Sequence, residues 1–423
     1  MRSAEAGAIH VIGAGLAGLA AAVRLAGSNR KIALHEGGMV AGGRCRSYYD
    51  HATGMTIDNG THIVLSGNHA ALAFAKTIGS ISGLLSAADT EFPFVDLKDK
   101  TRWTFGPGDS RFPWWIFDKA RRVPETGIAD YLALARLALP SADKPGGQMV
   151  NCSGPAYRRL LEPFLLAALN IAPHQGSARL AGAVIRETIA LGGQSCRPLL
   201  ARDGIGTVFV DPALSYLREH GASVIFQNEL VGIDFSNQRA TQLVFSNART
   251  NLAENDTVIL AVPPYIAANL LPGLRTPAAF RGILNAHFRV DPPAHMPPML
   301  GVTNGTCEWI FSLPGRMAVT VSDADRLFDA PRKQVAELLW GEVAAIAGLP
   351  AALPLWQIIR ERRATFAATP EQNALRPAAE TAWHNLFLAG DWTATGLPAT
   401  LEGAVRSGNR AADLASNRAR AAA

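Results

Sequence analysis

The sequence predicts an α/β fold: a parallel-sheet domain assembled from both ends of the chain, interleaved with a second, mixed α+β domain. Three observations carry this. The turn Gly13-Ala14-Gly15-Leu16-Ala17-Gly18 lies between an apolar run at 8–12 and an alanine-rich helical run at 19–26. A second apolar run, 31–35, ends at Glu36 and completes a βαβ unit. Near the other end, the apolar run 386–389 delivers Gly390-Asp391, and a last helix follows over 402–415.

The remaining elements read in order. Residues 37–70 are loop-rich and contain Gly42-Gly43-Arg44 and Asp58-Asn59-Gly60-Thr61-His62. Residues 71–90 tend toward helix. From 91 to about 200 the texture changes to tryptophans, prolines and leucine-rich helical stretches at 131–139 and 157–169. Strand patterns return at 223–226, 230–235, 242–245 and 257–262, and again across 286–330. A helix follows at 335–347. The expected division is 1–90, 204–285 and 365–423 for the parallel-sheet domain, with 91–203 and 286–364 for the other.

Bulk composition narrows the function. Of 423 residues, 48% are hydrophobic and only 18% charged, with 8 Trp and 17 Phe, which suggests a large core and a large apolar cavity. The net charge is +5, but the basic residues are scattered, so nucleic acid is not an expected partner. A mildly basic surface favours anionic lipid. Cys45, Cys152, Cys196 and Cys307 form no CxxC pair; no metal site is expected, and free thiols imply a reducing compartment. Residues 8–26 are apolar, but the glycines fit a strand–turn–helix better than a signal peptide or a span. The chain reads as soluble or peripheral.

The motifs point to one dinucleotide. Gly13, Gly15 and Gly18 permit a tight turn and close approach to a pyrophosphate, and the helix head, with Leu16 and Ala17, offers N–H donors and a positive dipole end. Glu36 stands where a carboxylate binds ribose hydroxyls, and its charge opposes a 2′-phosphate, so NADP is not expected there. Gly42 and Gly43 let a loop lie against the diphosphate, with Arg44 reaching phosphate or ring edge. Val231 is placed to present its backbone to adenine. A site completed by the chain's far end marks a flavoprotein; a nicotinamide dehydrogenase usually completes its site within one contiguous domain. Asp391, after Gly390, is expected to accept from a ribityl hydroxyl. Ala399, Thr400 and Leu401 open the last helix, whose head stabilises negative charge at the pyrimidine end of a reduced flavin.

Two motifs keep two readings each. His62 follows an Asn-Gly turn; the simpler reading is a structural hydrogen-bonding histidine, the other a catalytic place beside the flavin. Phe112-Pro113-Trp114-Trp115-Ile116-Phe117, followed by Lys119, Arg121 and Arg122, suits either core packing or a membrane interface.

These residues together resemble the flavin-dependent amine-oxidase and carotenoid-desaturase superfamily. Within it, residues 390–404, with Asp58-Asn59-Gly60-Thr61-His62, Leu166-Ala167-Ala168-Leu169-Asn170 and the stretch 363–372, resemble the squalene-associated branch, the hydroxysqualene dehydroxylases. The resemblance spans nearly the whole chain. It implies a Rossmann-like FAD-binding domain of the amine-oxidase type interleaved with a mixed α+β substrate domain. It also implies reduction of hydroxysqualene to squalene on the way to hopanoids. Amine oxidases usually carry an aromatic residue where this chain has Thr400, and no cysteine near 360–395 is available for a thioether to flavin. A long-chain isoprenoid substrate implies an apolar tunnel and a peripheral place on the inner, cytoplasmic face of the cell membrane. Because one dinucleotide fingerprint is visible, the electron donor is NAD(P)H at a transient site or a separate reductase. The alternatives are an isoprenoid desaturase for squalene or phytoene, an amine oxidase, which Thr400 disfavours, and a non-enzymatic flavin-binding partner in lipid synthesis.

Overall fold

The computed structural model describes residues 7–86, 90–139 and 142–421. A five-stranded parallel sheet runs in the order Ser223–Ile225, Ile32–His35, Ile9–Ile12, Thr257–Leu260, Leu386–Leu388. The strands Ile9–Ile12, Thr257–Leu260 and Leu386–Leu388 are buried along their whole length, which explains their unbroken apolar sequences. From Ile9–Ile12 the strand order proceeds to both sides, so a crevice opens at the carboxyl ends of the central strands, where doubly wound sheets bind ligands. The helix Leu16–Leu25 packs against the last helix, Leu401–Ala421. They cross so closely at Gly408 that a Cβ there would lie 2.1 Å from the Ala17 carbonyl oxygen.

A seven-stranded mixed sheet forms the second layer system, in the order Trp356–Phe366, Phe280–Phe288, Arg316–Val321, Trp309–Leu313, Met299–Thr303, Phe92–Asp96, Arg102–Phe105. Its pairs are antiparallel except Met299–Thr303 with Phe92–Asp96. One side carries the helix Arg332–Ala347 over a core of Leu284, Val319 and Leu339. A second core includes Phe94, Trp309 and Leu165 from the sheet and the helix Glu162–Leu169, and runs on to Trp392.

Several elements differ from the sequence reading. In 71–90 the helix is His69–Thr77, and Leu84–Ser86 is a strand; residues 87–89 lie outside the described residues. The longest strand, Trp356–Phe366, was not expected, because Arg360-Glu361-Arg362-Arg363 reads as a solvated segment. It is an edge strand, where charge suits the unpaired side. The expected segment limits at 285 and 364 fall inside Phe280–Phe288 and Trp356–Phe366, which pair with each other.

Candidate flavin-binding site

The glycine turn is shaped by contacts that no side chain would tolerate. Gly13 has φ +103° and a Cβ there would lie 2.5 Å from the Ala261 oxygen; at Gly18 it would lie 1.9 Å from the Gly13 oxygen. At Gly15 the same construction meets open space. The first intrahelical bond is Leu19 N–H to the Gly15 carbonyl, and Gly15 supplies no side-chain cap, so the helix head, with Leu16 and Ala17, is open to an anion. Gly42 N–H donates to the Ala14 carbonyl at 2.8 Å, which lays Gly42-Gly43 beside the turn.

Glu36 borders this mouth. Its Oε2 accepts from Ala14 N–H and its Oε1 from Gly38 N–H, both at 2.8 Å. The 227–231 segment packs alongside: Asn228 N–H donates to the Glu36 carbonyl at 2.9 Å. Val231 is the extra residue of a β-bulge between Leu230 and Gly232, so it lies outside the ladder's paired register.

At the site, the far end of the chain meets the front in an ion pair. Arg44 Nη2 donates to Asp391 Oδ1 at 2.7 Å and its Nη1 to the Ala364 carbonyl at 2.6 Å. Burial opposes the guanidinium charge, but the Asp391 carboxylate outweighs it and raises the pKa. Two of the five N–H groups of Arg44 are thereby bound to protein, and the side chain remains partly exposed. Gly390 N–H donates to Ser407 Oγ, and Trp392 Nε1 to the Val262 carbonyl. Thr400 is the N-cap of the last helix: its Oγ1 accepts from Gly403 N–H at 3.0 Å and its carbonyl from Ala404 N–H at 2.9 Å. Ala399 and Leu401 flank that cap, and the free N–H groups of the first turn point beyond it.

Two further residues support this geometry without having been singled out from sequence. Arg376 is buried over the Phe366 ring; its Nη2 donates to the Asp391 carbonyl at 3.1 Å and to Thr395 Oγ1 at 2.8 Å, and its Nε to the Thr393 carbonyl at 2.9 Å. Burial lowers its pKa to about 10, against the pull of Asp391. Glu402 is buried and accepts from Ala70 and Ala71 N–H, capping the helix His69–Thr77, and from Arg406 Nε. No local pattern announces either role, because the partners are brought in by the fold.

His62 lies within the field of Arg44. Its Nδ1 lies 2.6 Å from the Gly60 carbonyl; a carbonyl only accepts, so Nδ1 carries the proton. Burial lowers its pKa, Arg44 adds to this, and Asp58 with the Gly60 carbonyl opposes it, leaving a neutral ring at neutral pH. Asp58 is occupied in structure: Oδ1 accepts from Ser47 Oγ and Ile205 N–H. Asn59 Nδ2 reaches Glu361 Oε2 at 3.2 Å. Asn170 joins two further motifs, donating from Nδ2 to Thr365 Oγ1 at 3.0 Å and to the Arg281 carbonyl at 3.2 Å.

The residues fit a dinucleotide: an uncapped helix head beside open space at Gly15, a carboxylate at the ribose end, and a second helix head from the opposite terminus. The model of the flavin containing amine oxidoreductases matches residues 16–415. The chain belongs to that family. This flavoprotein is 55% identical to a hydroxysqualene dehydroxylase of Rhodopseudomonas palustris over 407 residues, covering 96% of this chain and 97% of that one. It is 52% identical to a hydroxysqualene dehydroxylase of Sinorhizobium fredii, with coverage of 96% and 98%. Among solved structures it is similar in fold to a putrescine oxidase bound to putrescine (TM-score 0.73, 16% identity, 96% and 98% covered). It is also similar to the cyclohexylamine oxidase of Brevibacterium oxydans (TM-score 0.71, 14% identity, 97% and 99% covered).

A cavity of about 720 Å³ lies between the helix Glu162–Leu169 and one end of the inner strands Phe92–Asp96 and Met299–Thr303. It is ionic: Arg159 pairs with Asp99 at 3.0 Å and Glu125 at 3.2 Å, and burial pushes Glu308 up to about 7. This cavity is not apolar, whereas most of the aromatic residues lie in the core that composition also suggested. Among the described residues no cluster of acids, cysteines or histidines is placed to hold a metal, and no helix is long and apolar enough to cross a membrane.

Proposed function

We propose that this flavoprotein uses FAD to remove the hydroxyl of hydroxysqualene and release squalene. The observation that carries the reading is the 55% identity to a hydroxysqualene dehydroxylase along 96% of this chain. FAD, when bound and reduced, supplies the hydride. The C–O bond of the allylic alcohol breaks, a proton and the hydroxyl leave as water, and the carbon is reduced. In this reading the Gly13–Gly18 turn and the helix head hold the pyrophosphate, Glu36 the ribose, and the bulged backbone at Val231 the adenine. Asp391, oriented by Arg44 and Arg376, holds the ribityl chain. The N-terminus of Leu401–Ala421, capped by Thr400, faces the pyrimidine end. His62, neutral and tied to Gly60, has a positioning role; the proton comes from another group or from water.

We assign 1–90, 204–285 and 365–423 to the FAD-binding part and 91–203 with 286–364 to the substrate part, save that the paired strands Phe280–Phe288 and Trp356–Phe366 belong whole to the substrate part. Burying one methylene is worth about 0.8 kcal/mol, so a thirty-carbon chain costs roughly 20 kcal/mol to hydrate. Exchange with a bilayer rather than with water follows, and with it peripheral association on the cytoplasmic membrane face. The electron donor in this reading is NAD(P)H at a transient site or a separate reductase.

The test is anaerobic incubation of the chemically reduced protein with hydroxysqualene, with products separated by chromatography. Squalene formed in step with flavin oxidation is the expected result. A colourless protein that takes up no FAD overturns the reading. So does turnover confined to oxidation of squalene or phytoene, the desaturase outcome, or peroxide release on amines.

A further inference from the structure

Phe112, Trp114 and Phe117 are 51%, 65% and 54% exposed, in a protein that buries most of its aromatic residues. They do not stand singly. Phe112 and Trp114 have ring centroids 4.3 Å apart, and Phe117 lies 6.3 Å from each. The three rings form one convex knob on the short 3₁₀ helix Trp114–Phe117. The knob is rooted by Trp115, which is 3% exposed and packs edge-on against Phe105 at 5.2 Å and Tyr131 at 4.9 Å. Within this motif Trp115 is core and Ile116 packs against it, whereas Phe112, Trp114 and Phe117 face outward.

Charge and continuity name the occupant. Around the knob Arg111, Lys119 and Arg121 are exposed, against the exposed carboxylates Asp109 and Asp118, so the cations are in excess. Exposed Trp and Phe beside Lys and Arg match the interfacial zone of a bilayer, where rings sit at headgroup depth and cations meet phosphate. Behind the knob an aromatic series continues inward: Phe105 lies 5.5 Å from Phe164, and Phe164 lies 5.9 Å from Trp309. That series lies between the helix Glu162–Leu169 and the seven-stranded sheet and ties the knob to the packed core behind it.

We infer that Phe112, Trp114 and Phe117 are a wedge that enters the interfacial zone of an anionic lipid bilayer and docks the substrate part of the protein on it. The inference rests on the reading that the substrate is dissolved in lipid. Its test uses the full-length FAD-loaded protein, sedimented with vesicles of phosphatidylglycerol or of phosphatidylcholine. The wild type is expected to pellet with phosphatidylglycerol vesicles. Joint replacement F112S, W114S and F117S is expected to lower the bound fraction at least about tenfold, as loss of buried apolar area weakens interfacial binding. Joint reversal R111E, K119E and R121E is expected to abolish the preference for the anionic lipid. Both variants should keep the melting temperature, the flavin absorbance and the turnover of detergent-dispersed hydroxysqualene.

A wild type that stays in the supernatant with both vesicles overturns the wedge. So does a triple serine variant that pellets as well as the wild type, or one whose only change is loss of self-association. If the serine variant fails to fold, the charge reversal and the salt dependence of wild-type pelleting decide instead. The detergent assay separates the two readings: inactivity of the wild type there speaks against the reaction, and vesicle binding speaks to the wedge alone.

Discussion

At the scale of single residues, the site is held by charges whose partners are remote in sequence. Arg376 fixes the loop that carries Asp391 through its bonds to the Asp391 and Thr393 carbonyls. A hydrogen bond to a charged donor contributes about 1.5–3 kcal/mol, and leaving those buried carbonyls unpaired adds to the cost. Arg376→Met is therefore expected to lower the melting temperature and to strip FAD on gel filtration, read as the ratio of flavin to protein absorbance. Arg376→Lys should recover only part of both, because one ammonium cannot span the same carbonyls. His62 makes a contrasting case. Its Nδ1–H is used on Gly60 and its ring is neutral, so His62→Gln is expected to leave the acidic limb of the rate–pH profile unmoved. An acidic limb that shifts would make His62 the proton donor after all. The placing of the glycines, Glu36 and Asp391 was legible in the sequence because strand, turn and helix signals coincide there. Arg376 and Glu402 were not, since a lone arginine before a proline, or a glutamate opening a helix, is satisfied equally well by solvent until the fold supplies Thr393 or Ala71.

At the scale of elements, the two ends of the chain meet as helices. Leu16–Leu25 and Leu401–Ala421 each present a head to the site, and their crossing at Gly408 fixes one head relative to the other. Two effects compete in Gly408→Ala. Alanine is better than glycine inside a helix by about 0.8–1.0 kcal/mol. Against this, the new Cβ would stand 2.1 Å from a backbone oxygen, which cannot swing aside as a side chain does. Overpacking of this kind costs about 1–3 kcal/mol, so net destabilisation is expected, with weaker FAD retention because Thr400 rides on the displaced helix. A thermal melt that rises on this substitution would refute the tight crossing. The βαβ unit and the terminal strand–helix were readable as elements because period and turn residues agree there. The edge strand Trp356–Phe366 was hidden by its charged run, and the helix expected over 71–90 ended early because Leu84–Ser86 pairs with Pro198–Ala201, more than a hundred residues away.

At the scale of the whole molecule, buried titratable groups set how stability responds to acid. His35 and His287 are buried and neutral, and burial lowers each to about 4 from the ordinary 6.5; His10 is lowered too. Below pH 6.5 the unfolded chain takes up protons that the folded protein refuses, so stability falls as pH drops from 6.5 toward 4. One group contributes about 1.4 kcal/mol per pH unit in that window. Glu308 acts in the opposite sense. Its pKa is raised to about 7 from 4.5, so the folded protein holds a proton that the unfolded chain releases, and this part of the stability is lost as pH rises from 4.5 to 7. Between pH 4.5 and 6.5 the lowered histidines, His10 and His62 among them, outweigh Glu308, and the net expectation is a protein that weakens on acidification. Glu308→Gln removes the opposing group. The slope of unfolding free energy against pH in that window should then become steeper, measured by urea titration at several pH values. Unchanged or shallower acid sensitivity in Glu308→Gln would mean that Glu308 is ionised in the folded protein, and that the cavity it lines is wetter than its burial indicates.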